Sequence, residues 1–214
     1  MRQKKRTTED SEAHAPAAGT FEDALLVRQV QGGAVHVFAE LVRKYQDRVY
    51  NACLRICHYT EDARDLTQEA FLKAFASIDQ FRGKSAFFTW IFRIAVNLAI
   101  SQQRKRQSAP VVALDAAASD EDATSGSDRV ADTRIPDPAE RLATAETRSA
   151  VLEALQRLEP DYRVVLVLRD MEGFDYQAIA DVLETRVGTV KSRIFRARMA
   201  LKAHLDAYVK EESA

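Results

Sequence analysis

The chain has 214 residues, is 46% apolar and 29% charged, and carries a formal net charge of −1, an ordinary balance for a globular protein of one or two domains. It lacks the unbroken apolar run of about 18 residues that would suggest a bilayer span. Its basic start (Arg2, Lys4, Lys5, Arg6) is followed by polar and Ala-rich residues rather than the apolar stretch of a secretory signal. Near-neutral charge excludes a uniformly basic nucleic-acid binder, so any such function must come from local charge density.

Residues 1–20 are polar and poor in large apolar groups, and they are expected to form a disordered tail. From Phe21 to about Gln107 the apolar period is helical. Val35, Phe38, Leu41, Val42, Tyr45, Val49, Cys53 and Cys57 recur at three- and four-residue steps and predict one long amphipathic helix. Cys53 and Cys57 are the only cysteines, one turn apart beside His58. A ligand cluster or redox pair is one reading. Their place on the apolar stripe favours two small buried thiols in a reducing cytoplasm.

A second helix is predicted from about Glu61 to Ser77, with Asp62, Asp65, Glu69 and Leu72 on one face and Gln68 at its border. Carboxylates early in a helix complement its dipole. The alternative is a docking face for a basic, partly apolar partner. The stretch Asp79–Ser85, containing Gly83, breaks the helical period.

A third helix is predicted from about Phe87 to Arg104, and most of its sides are apolar. The exceptions are Trp90, Arg93, Asn97, Ser101 and Arg104, which fall in one narrow seam. A polar, cationic seam with an aromatic suits nucleic acid with unstacked bases. The preceding loop adds Arg82, Lys84, Ser85 and Phe88, cations interleaved with rings, which suits bases flipped from single-stranded DNA. For Trp90 and the phenylalanines, plain core burial is the competing reading.

Residues 108–140 have linker composition, rich in Ala, Ser, Asp and Gly with Pro110, Pro136 and Pro138. Helical period resumes near Arg141 and runs to about Lys210, with breaks at Glu159-Pro160, Glu172-Gly173 and Glu184–Arg186. No period-two strand is evident, so the expected class is all-α, with two small helical domains (21–107 and 141–210) joined by a flexible acidic linker.

The second domain reads as a helix-turn-helix. Asp175 is a good N-cap for Tyr176–Leu183, and Thr185 is the expected cap of a helix beginning at Arg186. On that longer helix Val190, Ile194, Ala197 and Leu201 make one apolar stripe. Ser192, Phe195, Arg196 and Met199 fall opposite, with Thr189, Lys191 and Arg193 on the shoulders. Arginine can pair with guanine, serine with several base edges, and an aromatic can pack on thymine methyl. Gly188 leaves the first turn open to a phosphate. A solvated basic face is the competing reading.

Charge follows the same division. Gln80–Pro110 and Thr185–Ala203 each hold six basic residues and no acidic one, while 111–147 holds nine carboxylates against three arginines.

These segments resemble the extracytoplasmic-function (group IV) sigma factors of the sigma-70 family, sigma-E-like members above all. Asp62–Phe71 (DARDLTQEAF) resembles their region 2.2, Phe81–Asn97 (FRGKSAFFTWIFRIAVN) regions 2.3 and 2.4, and Gly188–Arg198 (GTVKSRIFRAR) the region 4.2 recognition helix. The resemblance implies a promoter-specificity subunit of RNA polymerase, with regions 2 and 4 corresponding to the two helical domains. Asp62, Asp65, Gln68, Glu69 and Leu72 would dock on the polymerase β′ clamp helices, and region 4 on the β flap. Arg82, Lys84, Ser85, Phe88, Trp90, Arg93, Asn97, Ser101 and Arg104 would take the −10 element. Arg186, Gly188, Thr189, Lys191, Ser192, Phe195, Arg196 and Met199 would take the −35 element. An anti-sigma factor is implied as a partner; a cofactor, a small-molecule substrate and membrane insertion are not. Arg64 departs from a usually acidic position, and Arg186 stands where a proline often opens the recognition helix.

A linker of about 35 residues spans ~30–35 Å when relaxed and ~115 Å when extended. Promoter elements a turn and a half apart are separated by roughly 50–55 Å. The tether therefore permits that distance without fixing it, and polymerase must act as the ruler. A stand-alone helix-turn-helix regulator with an N-terminal sensor domain is the alternative function, although a sensor needs no second basic surface. An enzyme is not suggested: the sequence offers no Gly-rich phosphate loop, metal-spaced His/Cys set or nucleophile–base pair.

Overall fold

The computed structural model describes residues 20–108, 147 and 149–212. The expected tail and acidic linker lie outside the described residues, apart from their edges at Thr20 and Ser108. Every regular element among the described residues is helical.

The N-terminal module contains α1 (Thr20–Gln31), α2 (Phe38–Cys57), α3 (Thr60–Ala76) and α4 (Phe87–Ser108). The long helix expected from Val35 begins instead with a 3₁₀ turn, Val35–Val37, and α2 proper starts at Phe38. The cause lies just upstream, where Gly33 takes a φ of 99° that stops α1 and re-aims the chain. The helix α2 ends as His58 adopts a φ of 69° and its N–H reaches the Leu54 carbonyl.

Most of the predicted stripe is core: Phe38, Leu41, Tyr45, Val49, Cys53 and Cys57 are buried, joined by Ala52 and Ile56, whereas Val42 is half-buried and Val35 is exposed. From α4 come Phe87, Ile91, Phe92, Ala95, Val96 and Ala99, so that helix is enclosed on most sides. The buried Asp23 of α1 is satisfied by the Tyr45 hydroxyl and by Lys44 at 2.7 Å. Both cysteines are free and buried, as the apolar-stripe reading expects. Burial, with Cys57 nearby, pushes the Cys53 thiol up to about 12, which leaves it an inert hydrophobe at neutral pH.

The C-terminal module contains α5 (149–156), α6 (Pro160–Leu166), α7 (Tyr176–Val182) and α8 (Val187–Glu212). Beyond Leu166 the helix widens into a π-helical turn over Val167–Met171. The predicted Asp175 cap is present, its carboxylate accepting from the Ala178 N–H at 2.7 Å. The Thr185 cap is not. The helix α8 opens at Val187, and the Arg186 carbonyl receives the Thr189 and Val190 N–H groups, which puts Arg186 at the N-cap. Glu184, at a φ of 50°, tightens the turn and carries Thr185 back toward the Ala180 carbonyl.

The two modules touch. The buried Arg163 of α6 donates to the Ile56 carbonyl of α2 at 2.8 Å and to the carbonyls of Leu155, Gln156 and Leu158. Helix α7 packs across α4. The linker's slack predicts modules without a fixed relation, but in this structure side chains supply the relation that the tether does not.

Candidate nucleic-acid interface

The first cationic surface is the open edge of α4. Because its other sides are enclosed, Arg93, Asn97, Ser101 and Arg104 are the exposed positions of the predicted seam. Trp90 is half-buried, packed on Phe81 at 5.0 Å and Phe87 at 5.7 Å between ring centroids. Those contacts hold the base of the 81–86 loop in place. Its tip, Arg82, Lys84 and Ser85, is exposed, and Gly83 makes the turn at a φ of 68°. Cations on a pinned loop beside an exposed Asn–Ser seam can grip a phosphate backbone and hydrogen-bond to base edges. Phe88 departs from that picture: it is half-buried, stacked on Phe174 at 4.9 Å, with the Arg48 guanidinium 4.2 Å from its ring.

The second surface is the outer face of α8. Val190, Ile194 and Ala197 are buried, which turns Lys191, Ser192, Phe195, Arg196 and Met199 to solvent. Phe195 is 69% and Met199 57% exposed, too much apolar area on a basic helix to be explained by packing. Thr189 is half-buried, and its carbonyl accepts from the Ser192 hydroxyl at 2.9 Å. A Cβ on Gly188 would meet nothing within 4 Å, so packing does not demand glycine there, and the first turn stays open to an anion. Arg193, on the shoulder, is tied to Asp161 at 2.7 Å, and Arg198 to Asp170. Phe195, Arg196 and Met199, opposite the buried stripe, point straight out.

The third surface is α3. Asp65, Gln68 and Glu69 are exposed, and Leu72 is 60% exposed. Asp62 is turned away, bound to Arg106 at 2.6 Å at the edge of a small cleft with Cys57, His58 and Gln103. Burial first, then the charge of Arg163, pull the His58 imidazole down to about 4. Among the described residues no group of three or more side chains is arranged to hold a metal. Nor is any of their helices long and apolar enough to cross a membrane. Gln68 and Leu72 border an apolar groove of about 790 Å³ between α2 and α3, lined also by Phe38, Val42, Tyr50, Phe71 and Phe75. Sequence reasoning missed this groove, although Leu72 and Phe75, three residues apart and beside the carboxylates of α3, were its signal.

Comparison with known proteins adds independent findings. The family profile described as Sigma-70 region 2 matches residues 41–109, and the one described as Sigma-70, region 4 matches residues 148–201. The RNA polymerase sigma-H factor of Pseudomonas aeruginosa is 38% identical over 190 residues, covering 89% of this chain and 97% of that protein. The ECF RNA polymerase sigma-E factor of Escherichia coli K12 is 39% identical over 183 residues, covering 84% and 92%. Among solved structures, CnrH in complex with the cytosolic domain of CnrY is similar at a TM-score of 0.60 and 26% identity, over 86% of this chain and 97% of that one. The sigma factor RpoE of Bartonella quintana, bound to the anti-sigma factor NepR, gives 0.60 and 25%, over 79% and 96%.

Proposed function

This chain belongs to the sigma-70 family as an extracytoplasmic-function sigma factor, and from that membership we propose how its surfaces divide the work. It binds core RNA polymerase and promoter DNA, and it directs initiation at promoters chosen by its −10 and −35 contacts. The family is not one of enzymes, and we assign this chain no reaction. Its place of action is the cytoplasm, where polymerase is.

Residues 21–107 act as region 2 and 141–210 as region 4. The α4 seam with the 82–85 loop captures unstacked non-template bases of the −10 element, Asn97 reading a base edge and Arg93 and Arg104 following the backbone. The outer face of α8 enters the major groove at the −35 element, with Lys191, Ser192, Phe195 and Arg196 toward the bases and Arg186, Gly188 and Thr189 toward phosphate. The β′ clamp helices dock on α3 at Asp65, Gln68, Glu69 and Leu72, and the apolar groove beside them extends that surface. Asp62 supports the docking face through Arg106. Region 4 docks on the β flap. An anti-sigma factor controls the chain, in keeping with the structural relative RpoE, solved with the anti-sigma factor NepR.

The observation that carries this reading is the pair of cationic helix faces, each exposed and each inside its own family-matched segment. Pull-down with core polymerase followed by transcription from a promoter library tests it. Retention on core and polymerase-dependent promoter choice are expected. Tight, selective binding of promoter duplex by the chain alone would favour the stand-alone regulator instead.

A further inference from the structure

Helix α1 lies wholly before residue 41, where the Sigma-70 region 2 match begins, and none of the promoter or polymerase contacts assigned above falls on it. Two of its side chains nevertheless reach the element that takes unstacked bases. The Gln31 amide nitrogen, at the end of α1, donates to the Ile78 carbonyl at 2.8 Å and to the Phe81 carbonyl at 3.0 Å. A side-chain amide has two N–H hydrogens, and here both go to carbonyls at the entry of the 82–85 loop. Those partners are 47 and 50 residues away in sequence, so the bonds tie two separate elements together rather than closing a local turn.

Near the other end of α1, the buried Asp23 accepts from the Tyr45 hydroxyl and from Lys44. The Tyr45 ring in turn lies 5.9 Å from Phe87 and 5.6 Å from Phe88, centroid to centroid, where α4 begins. Helix α1 therefore braces the loop on both sides, with Gln31 at its entry and Asp23, through Tyr45, at its exit. Between those points the chain has little support of its own. Among the described residues no backbone hydrogen bond involves positions 82–85, and Arg82, Lys84 and Ser85 are exposed. Such a loop keeps its direction only if its ends are held. Holding its polar groups in place before contact lowers the ordering cost of binding.

We propose that Gln31 is a positioning residue for −10 capture: its amide fixes the Ile78 and Phe81 carbonyls and so sets where Arg82, Lys84 and Ser85 meet the DNA. This rests on the sigma-factor reading above. Phe81 carries the effect, because its carbonyl is held by Gln31 while its ring packs 5.0 Å from Trp90. Freeing the carbonyl lets the ring and the base of the loop move together. Helix formation alone does not call for glutamine here, since alanine would serve the last turn of α1 better. The side chain is exposed, so its loss opens no cavity.

The test uses full-length Gln31→Ala and Gln31→Glu chains, the second keeping the shape but setting a carboxylate, which has no donor, against two carbonyls. With core polymerase and a promoter recovered from the library, permanganate footprinting is expected to show −10 melting slowed by about three- to tenfold in both, the size of effect one net hydrogen bond has. The chain's single tryptophan, Trp90, is expected to become more open to acrylamide quenching in both variants. Core binding and −35 gel shift are expected to match the unaltered chain, which separates positioning from misfolding. Unchanged melting or unchanged quenching in both variants would overturn the role, as would melting that falls only in step with core binding. If the unaltered holoenzyme melts no promoter at all, it is the sigma-factor reading that fails, and this role falls with it.

Discussion

Helices α4 and α8 carry equal cationic charge in their segments and present it in opposite ways. The first is a core helix, with Ile91, Phe92, Ala95, Val96 and Ala99 buried and only a seam left over, part of it facing α7. The second buries a single stripe, Val190, Ile194 and Ala197, and gives a whole face to solvent. Composition alone would rank the two faces alike. Their readiness for DNA is set by what packs around them. A surface cut from a core helix is stiff and can be gated by whatever covers its one open edge. A surface on a helix packed along one stripe stays permanently available.

The harshest way to break that comparison is at the joint between the modules. Arg163 is 4% exposed and donates to four carbonyls, one of them on α2. Arg163→Ala strands those acceptors and is expected to destabilise the chain by about 3 kcal/mol or more. A urea melt followed by circular dichroism checks it, and a midpoint close to that of the unaltered chain would mean that water replaces the guanidinium at no cost.

At the two faces themselves, single substitutions should cost about 1–3 kcal/mol of recognition each. Arg196→Ala and Ser192→Ala are expected to weaken −35 recognition and leave polymerase binding intact. Asn97→Ala is expected to impair promoter melting while −35 recognition holds. Gel-shift and permanganate footprinting with holoenzyme separate the two. Equal loss of polymerase binding would indicate misfolding, and unchanged melting at a −10-dependent promoter would remove Asn97 from the seam's work.

How much of this was legible in the sequence follows from the range of the interactions. Spacing along one helix identified the α8 stripe and the α4 seam, because 3.6-residue periodicity is local. It also suggested the Asp175 cap, and the stabilising carboxylate is there. The contacts between the two modules were not legible. Arg48 and Glu172 are 124 residues apart, and Arg163 and Ile56 are 107 apart, and no periodicity pairs such positions. Phe88 shows the same limit: an aromatic beside cations reads as a base-stacking ring, and nothing local reveals that Phe174, far along the chain, packs against it. Even the shift of the α8 cap from Thr185 to Arg186 depends on Glu184 entering a left-handed turn, which a glutamate does not advertise.

A smaller effect is expected at the Asp175 cap, which serves the helix lying over α4. Asp175→Ala should cost about 1 kcal/mol, the usual value of a lost N-cap, and should fray the start of α7. The loss shows as faster hydrogen exchange at Ala178. Unchanged exchange would mean that packing of Ile179 and Val182 holds the turn unaided.

The smallest effect sharpens the comparison at the point where α2 meets α6. His58 is half-buried beside Arg163, and its Nε2 has no hydrogen-bond partner among the described residues. Its imidazole lies near 4 in the folded chain against an ordinary 6.5, so the fold prefers the neutral ring and the unfolded chain takes up the proton first. The stability it contributes is therefore complete above 6.5, declines as pH falls from there toward 4, and is gone below. Solvent on its open side screens the effect and keeps it modest. His58→Asn removes the titration while keeping a residue that tolerates the left-handed backbone at this helix end. The fall in Tm between about pH 7 and about pH 5 is expected to be smaller in that variant than in the unaltered chain. An equal fall in both would show that carboxylates elsewhere, and not the joint between the two modules, set the acid limit.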